Sequence, residues 1–134
     1  MGAKEFYSTA EDKKWAEKLQ QKPLDFIVST ASSNAVDLGE ILSTLVVHGK
    51  LVYVGMPEDG FKLQIQSMAG NGSFIGSSHI ANKKEILSML KLAAEKNVKP
   101  WVDVMPMKEC SKAVANIEKG SVRYRQVLVQ DIEP

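Results

Sequence analysis

Residues 24–28, Leu-Asp-Phe-Ile-Val, form an apolar run broken by Asp25 alone, and residues 50–56 (KLVYVGM) form a second. Apolar runs without strict alternation suit strands covered on both faces, as in parallel sheets. Between them Leu38, Ile41, Leu42, Leu45 and Val46 fall at i, i+3, i+4, i+7 and i+8, which is one face of a helix. Asn34 is suited to cap that helix, Asp37 and Glu40 favour its positive end, and Gly49 supplies a left-handed stop. A strand, a helix and a strand in this order make a βαβ unit, which requires a parallel pair and a right-handed crossover.

The same alternation runs along the rest of the chain. Residues 4–8 are a short strand candidate, and Ser8-Thr9 ahead of Glu11 and Asp12 gives overlapping capping boxes for a helix over 11–20. Pro57-Glu58-Asp59-Gly60 has turn composition, and residues 61–65 alternate as a half-exposed strand would. Residues 73–77 read as a brief strand. Asn82 and Glu85 open a helix with Ile86, Leu87, Leu90, Ala93 and Ala94 on one face, stopped at Asn97. A strand over 101–105 follows, then a helix over 107–119 with Cys110, Ala113, Val114 and Ile117 inward and Gly120 as its cap, then a strand over 122–130. The expected fold class is α/β, a mainly parallel sheet with flanking helices.

Composition excludes several function classes. With 17 Lys+Arg against 16 Asp+Glu and no basic cluster, the chain lacks the electrostatic footprint of a nucleic-acid binder. No apolar run approaches the roughly 20 residues that span a bilayer, and the start has no secretory stretch. One cysteine permits no internal disulfide framework. The expected location is cytoplasmic, with neither nucleic acid nor membrane as a partner. At 134 residues, folding could bury roughly two thirds of the unfolded surface, provided all the strands of the sheet are present.

A catalytic zinc needs about three protein ligands, and Cys110, His48 and His79 stand far apart, so no metal site is expected. Cys110 reads as a helix core residue and His48 as a residue near a helix C-terminus. Open parallel sheets bind ligands at the carboxyl ends of their strands. Here those ends carry Ser29-Thr30-Ala31-Ser32-Ser33, Val54-Gly55-Met56 and the stretch Ser73 to Ser77. Each alone is ordinarily a strand-to-loop junction; together they suggest one crevice. No G-x-G-x-x-G and no P-loop occurs. Arg123 and Arg125 flank Tyr124 and on a strand would face one side, either as solvated charges or with one meeting a phosphate.

Five segments in register, LDFIVSTASS, HGKLVYVGMPE, GSFIGS, EKNVKPWVDVMPM and EKGSVRYRQVLV, resemble the C-terminal portion of zinc-dependent medium-chain alcohol dehydrogenases of the cinnamyl alcohol dehydrogenase group. The resemblance covers essentially the whole chain. It implies that residues 1–80 are the later part of a Rossmann-like NAD(P)-binding domain without its first two strands. It also implies that residues 81–134 are the segment that packs on the catalytic domain. Intact members interconvert alcohols and aldehydes by hydride transfer with NADP or NAD. By the same resemblance Thr30 and Ala31 lie beside the cofactor ribose, and Val54, Gly55 and Met56 line the nicotinamide side. The backbone of Ser73 and Ile75 holds the carboxamide, and Arg125 approaches the pyrophosphate.

The family's zinc ligands, proton relay and glycine-rich turn belong to its N-terminal part, so no catalytic residue and no zinc ligand is expected in these 134 residues. Met1-Gly2-Ala3 falls where the family has an internal Gly-Ala, which makes the expected product a truncated relative, inactive alone. Without its central strands it should be unstable, rearranged or oligomeric, and aggregation-prone at exposed strand edges. Family members pair through the strand at 74–76, which implies a homodimer. The reading from another class is a stand-alone, non-catalytic nucleotide-binding or regulatory α/β module.

Overall fold

The structure, a computed structural model, describes residues 2–33 and 35–131; the capping role read for Asn34 lies outside them. The chain forms two compact units, Met1–Ile80 and Ala81–Pro134. The first holds α1 (Trp15–Gln20), β1 (Leu24–Ser29), α2 (Leu38–Ser43), β2 (Leu45–Tyr53), α3 (Gln66–Ala69) and β3 (Phe74–Ser77). The second holds α4 (Lys83–Glu95), β4 (Asp103–Pro106), a 3-10 turn at Met107–Glu109, α5 (Cys110–Glu118) and β5 (Gln126–Val129). Both sheets are parallel: β1-β2-β3 in the first unit and β4-β5 in the second. The mainly parallel α/β class expected from the sequence is the class observed.

In the first unit the core lies on one face of the sheet. Leu38, Leu42, Leu45, Leu51 and Tyr53 are buried together, with Leu24, Ile27, Ile41, Met68 and Ile75 packed around them. Leu42 and Leu51 have no exposed surface, and burying each contributes about 2 kcal/mol. The strands alternate accordingly: Ile27, Leu51 and Ile75 are partners in the ladder and point to the core. Phe26 and Phe74, each paired with Lys50 and so on the other face, are more than half exposed. The expectation of strands covered on both faces is therefore corrected. Among the described residues of this unit the helices pack on one face only, and the apolar content of the other face stays open.

Several boundaries differ for identifiable reasons. Residues 4–8 form no strand, because no strand among the described residues pairs with them. The capping signal at Ser8 makes a turn instead, its carbonyl accepting the Asp12 N–H at 2.9 Å, and α1 begins only at Trp15. α2 is capped by Asp37, whose carboxylate accepts the Glu40 N–H at 3.0 Å. It stops at Ser43 rather than at Gly49. There the fully buried Thr44 turns its hydroxyl onto the Ile41 carbonyl at 2.7 Å, and its own carbonyl accepts the Leu24 N–H at 2.9 Å. Strand pairing thus overrides helical periodicity, and Leu45 and Val46 belong to β2. His48, expected near a helix end, lies in β2 and is itself left-handed at φ 61°. Residues 61–65 form no strand either.

β2 carries an irregularity. Leu24 pairs with Leu45 and Phe26 with Lys50, so three more residues separate the partners on β2 than on β1; from Phe26 to Ser29 the ladder runs in step. Asn71 fastens this end. Its Nδ2 donates to the Leu42 and Leu45 carbonyls at 2.9 and 3.1 Å, its Oδ1 accepts the Ser73 N–H at 3.2 Å, and its carbonyl accepts the His48 N–H at 2.8 Å. Gly72, at φ 58°, keeps the backbone close to the His48 ring, where a Cβ would come within 3.0 Å of Cδ2.

At the N-terminal end of the unit Tyr7 Oη donates to Glu5 Oε2 at 2.6 Å, which, with Lys22 nearby, holds the Glu5 carboxyl below its usual range and raises Tyr7. Asp12 is likewise lowered, chiefly by its bond from Lys18 and then by the Lys14 N–H.

In the second unit the Asn82 capping box is present in both directions, at 3.1 and 2.9 Å. α4 ends on left-handed Asn97 at φ 52°, with Val98 N–H donating to the Ala93 carbonyl at 2.9 Å. Gly120, at φ 64°, ends α5 the same way, with Ser121 N–H on the Asn116 carbonyl at 3.1 Å. Asp131 receives the Lys108 N–H at 3.0 Å and pairs with its ammonium at 3.1 Å. The apolar faces expected to turn inward do not. Ile86, Leu87 and Leu90 on α4 and Cys110, Val114 and Ile117 on α5 are exposed, and only Ala113 is buried. Two four-residue strands offer too little surface within this unit to cover two helices.

Candidate functional site

The three strands of the first unit finish level with one another: Ser29 is opposite Tyr53, and Tyr53 opposite Ser77. Their carboxyl ends therefore make one edge, and the segments leaving β1 and β2 are held against each other there. The Ser29 carbonyl accepts two N–H groups, from Val54 at 2.9 Å and Gly55 at 3.2 Å, while the Tyr53 carbonyl accepts the Ser78 N–H at 2.9 Å. Thr30, Ala31, Val54 and Met56 are exposed at this edge, and Gly55 between them is partly buried. A cleft of about 330 Å³ opens beside them, lined by Ser32, Ser33, Met56, Pro57, Glu58 and Asp59. This is at the small end of the range for ligand sites and is bounded by hydroxyls and carboxylates as well as by the Met56 side chain.

Five of the residues singled out in the sequence, Thr30, Ala31, Val54, Gly55 and Met56, are thus brought together. Ser73 and Ile75 stand farther back along the sheet. Ser73 precedes Phe74 at the opposite end of β3, four residues and so about 13 Å from Ser77. It is buried at 4% exposure, its hydroxyl without a partner and its N–H on Asn71. Ile75 is opposite Leu51 and packs on the core. Arg125 belongs to the second unit, where it is exposed and its carbonyl accepts the Asp103 N–H at 2.8 Å. Because β5 begins at Gln126, Arg123 and Arg125 precede the strand, and the alternation argument for them does not apply. Arg125 lines a hollow of about 470 Å³ with Ile117, Gly120, Val122, Tyr124 and Gln126.

Pro57, Glu58 and Asp59 were legible only as a turn. Their placement directly after a buried parallel strand is the signal that puts them beside a strand-end crevice. Among the described residues no group of three or more His, Cys, Asp or Glu side chains is placed to hold a metal ion. His48 sits in the irregular start of β2, and His79 lies beyond the far end of β3. Nor is any helix among the described residues long and apolar enough to cross a membrane.

Comparison with known proteins places these features in a larger frame. The sequence profile of the zinc-binding dehydrogenases matches residues 1–128. NADP-dependent alcohol dehydrogenase 6 of Saccharomyces cerevisiae is 34% identical over 132 residues, covering 96% of this chain and 36% of the relative. Cinnamyl alcohol dehydrogenase 2 of Arabidopsis thaliana is 32% identical over 128 residues, covering 96% of this chain and 33% of the relative. Among solved structures, a cinnamyl alcohol dehydrogenase from Sorghum bicolor superposes with a TM-score of 0.86 at 25% identity, over 99% of this chain and 38% of that one. The chain spans about a third of the length of the curated relatives it matches. Matched over nearly its whole length by both profile and relatives, the chain belongs to the zinc-binding dehydrogenase family.

Proposed function

We propose that this chain supplies the nicotinamide-side wall of an NAD(P)-dependent alcohol dehydrogenase that interconverts alcohols and aldehydes, and that it does not catalyse the reaction alone. The observation that carries this reading is the level edge formed by Ser29, Tyr53 and Ser77, with Thr30, Ala31, Val54, Gly55 and Met56 gathered beyond it. An edge of this kind is where open parallel sheets take nucleotides. Residues 1–80 are then the later part of the cofactor domain, and residues 81–134 the segment that packs on the catalytic domain.

The residues fit one end of a dinucleotide. Thr30 and Ala31 would flank the ribose, Val54, Gly55 and Met56 the nicotinamide, the backbone of Ser73 and Ile75 the carboxamide, and Arg125 the pyrophosphate. A bound NADP or NAD supplies the hydride chemistry. These residues orient the ring and exclude water from one side of it. They do not fit zinc, for want of three grouped donor side chains among the described residues. The ligands of the family's zinc would have to come from elsewhere, and no step here is assigned to it. β3 is the outer strand of its sheet, with one neighbour only, and its free edge is suited to pair with a second copy in a homodimer.

Titration of NADPH into the 134-residue chain, followed by nucleotide fluorescence, tests the reading. Saturable binding is expected, with no aldehyde-dependent oxidation of NADPH when zinc and cinnamaldehyde are added. Turnover by the purified chain would refute the assignment of catalysis outside it. Absence of binding up to millimolar NADPH would refute the cofactor wall.

A further inference from the structure

Gly55 occupies a position that no other residue type can share with its present neighbours. A Cβ built there would lie 2.1 Å from the Ala31 carbonyl oxygen, 2.7 Å from the Ala31 carbonyl carbon and 2.8 Å from the Thr30 carbonyl carbon. All three are backbone atoms, so no rotamer change relieves the overlap. The approach is fixed from the other side as well, because the Gly55 N–H and the Val54 N–H both donate to the Ser29 carbonyl, one residue before Thr30. The segment leaving β2 is therefore laid directly on the peptide that joins Thr30, Ala31 and Ser32.

We infer that Gly55 is a positioning residue: its missing side chain sets where the Thr30–Ala31 backbone stands at the ligand edge, and so how a nucleotide meets that edge. The inference rests on the cofactor reading given above but concerns a different thing, the distance between two loops. An alanine would require the Ala31 carbonyl to retreat by about 0.9 Å to restore even a 3.0 Å approach. A displacement near 1 Å at a binding wall costs far more in ligand affinity than in fold, because contacts must be met within about half an ångström. Elsewhere in the unit the same substitution is free of this effect: a Cβ on Gly70, which ends α3 with ordinary helical angles, meets nothing within 4 Å.

The test compares the chain with Gly55→Ala and Gly70→Ala, each titrated with NADPH and each recorded by two-dimensional amide NMR. The expected result is at least a tenfold weaker affinity for Gly55→Ala and an unchanged one for Gly70→Ala. Amide shifts in Gly55→Ala should be concentrated at Thr30, Ala31 and Ser32, while the amides of α2 and β3 stay in place. Equal affinity of Gly55→Ala and the parent would overturn the inference while leaving the cofactor reading intact. Should the parent not bind NADPH, the cofactor reading fails, and the amide shifts decide the rest. Movement confined to Thr30, Ala31 and Ser32 keeps the positioning role for whatever ligand the edge takes, and unmoved amides there overturn it. If Gly55→Ala loses the dispersed spectrum altogether, Gly55→Ser at lower temperature replaces it, and unmoved Thr30 and Ala31 amides in that variant count against the inference.

Discussion

Replacing Asn71 with alanine removes three hydrogen bonds at once. The side chain donates to the carbonyls of Leu42 and Leu45, at the end of α2 and the start of β2, and accepts the N–H of Ser73 just before β3. No other described side chain ties these three elements through one group. A net hydrogen bond contributes about 1 kcal/mol, and a buried partner left without water costs more than an exposed one. Asn71 is partly buried, so water replaces some of what is lost, and the three bonds together amount to about 2–3 kcal/mol. That is a large share of the roughly 5–15 kcal/mol typical of a folded domain. Urea unfolding of the chain by far-UV circular dichroism should show a lower midpoint with an unchanged slope, since the surface exposed on unfolding is the same. Asn71→Asp separates hydrogen bonding from volume. It keeps the acceptor for Ser73 but sets a carboxylate against two carbonyls, and is expected to be at least as destabilising as alanine. A loss under about 0.5 kcal/mol for Asn71→Ala would refute the reasoning, because it would mean that solvent satisfies all three groups as well as the amide does.

Leu42→Ala empties a site with no exposed surface in the centre of the cluster and should cost about 2–5 kcal/mol, read from the same urea midpoints. His48→Gly should raise stability by about 1 kcal/mol, since an exposed side chain at φ 61° is strained and glycine is not; a lower thermal midpoint would contradict this. Glu5 and Asp12 are both held below their usual carboxylate range, Glu5 first by Tyr7 and Asp12 first by Lys18. A depressed folded-state value contributes stability that is complete above the unfolded value, near pH 4, and is lost as pH falls through the folded one. Stability of the parent should therefore decline below pH 4, and less so in the Lys18→Met, Tyr7→Phe double variant. Both carboxylates are fully exposed, so salt should shrink the difference between the two proteins.

The sequence carried the parallel α/β class because it is written in local periods: two apolar runs with a helical stripe between them. It also carried the stops at Asn97 and Gly120 and the Asn82–Glu85 box, which depend on residues a few positions apart. What it did not carry are outcomes decided by partners distant in the chain. The stripe from Leu38 to Val46 is helical in period, yet Leu45 is claimed by Leu24 across the ladder, and the helix ends at Ser43. Residues 4–8 have strand composition and no strand to join. The apolar faces of α4 and α5 predict burial, and a period says only which residues share a face, not whether anything covers it. At the ligand edge, Thr30, Ala31, Val54, Gly55 and Met56 were legible as strand ends. The overlap of Gly55 with the Ala31 peptide was not, because it arises from two backbones meeting across 24 positions of sequence.

The three additional residues at the start of β2 are slack taken up at one end of the sheet. Length added or removed between α2 and the ladder is absorbed there, where the Asn71 bonds and the left-handed His48 backbone reel the chain back into step before Lys50. The pairs from Phe26 to Ser29 then proceed without offset, so the ligand edge keeps its alignment. Relatives can therefore differ by insertions or deletions at this bend and still present the same strand ends. Variation in length at residues 45–49 should be tolerated far better than a single inserted residue at 50–53, which would slide the whole edge and turn every inward side chain outward.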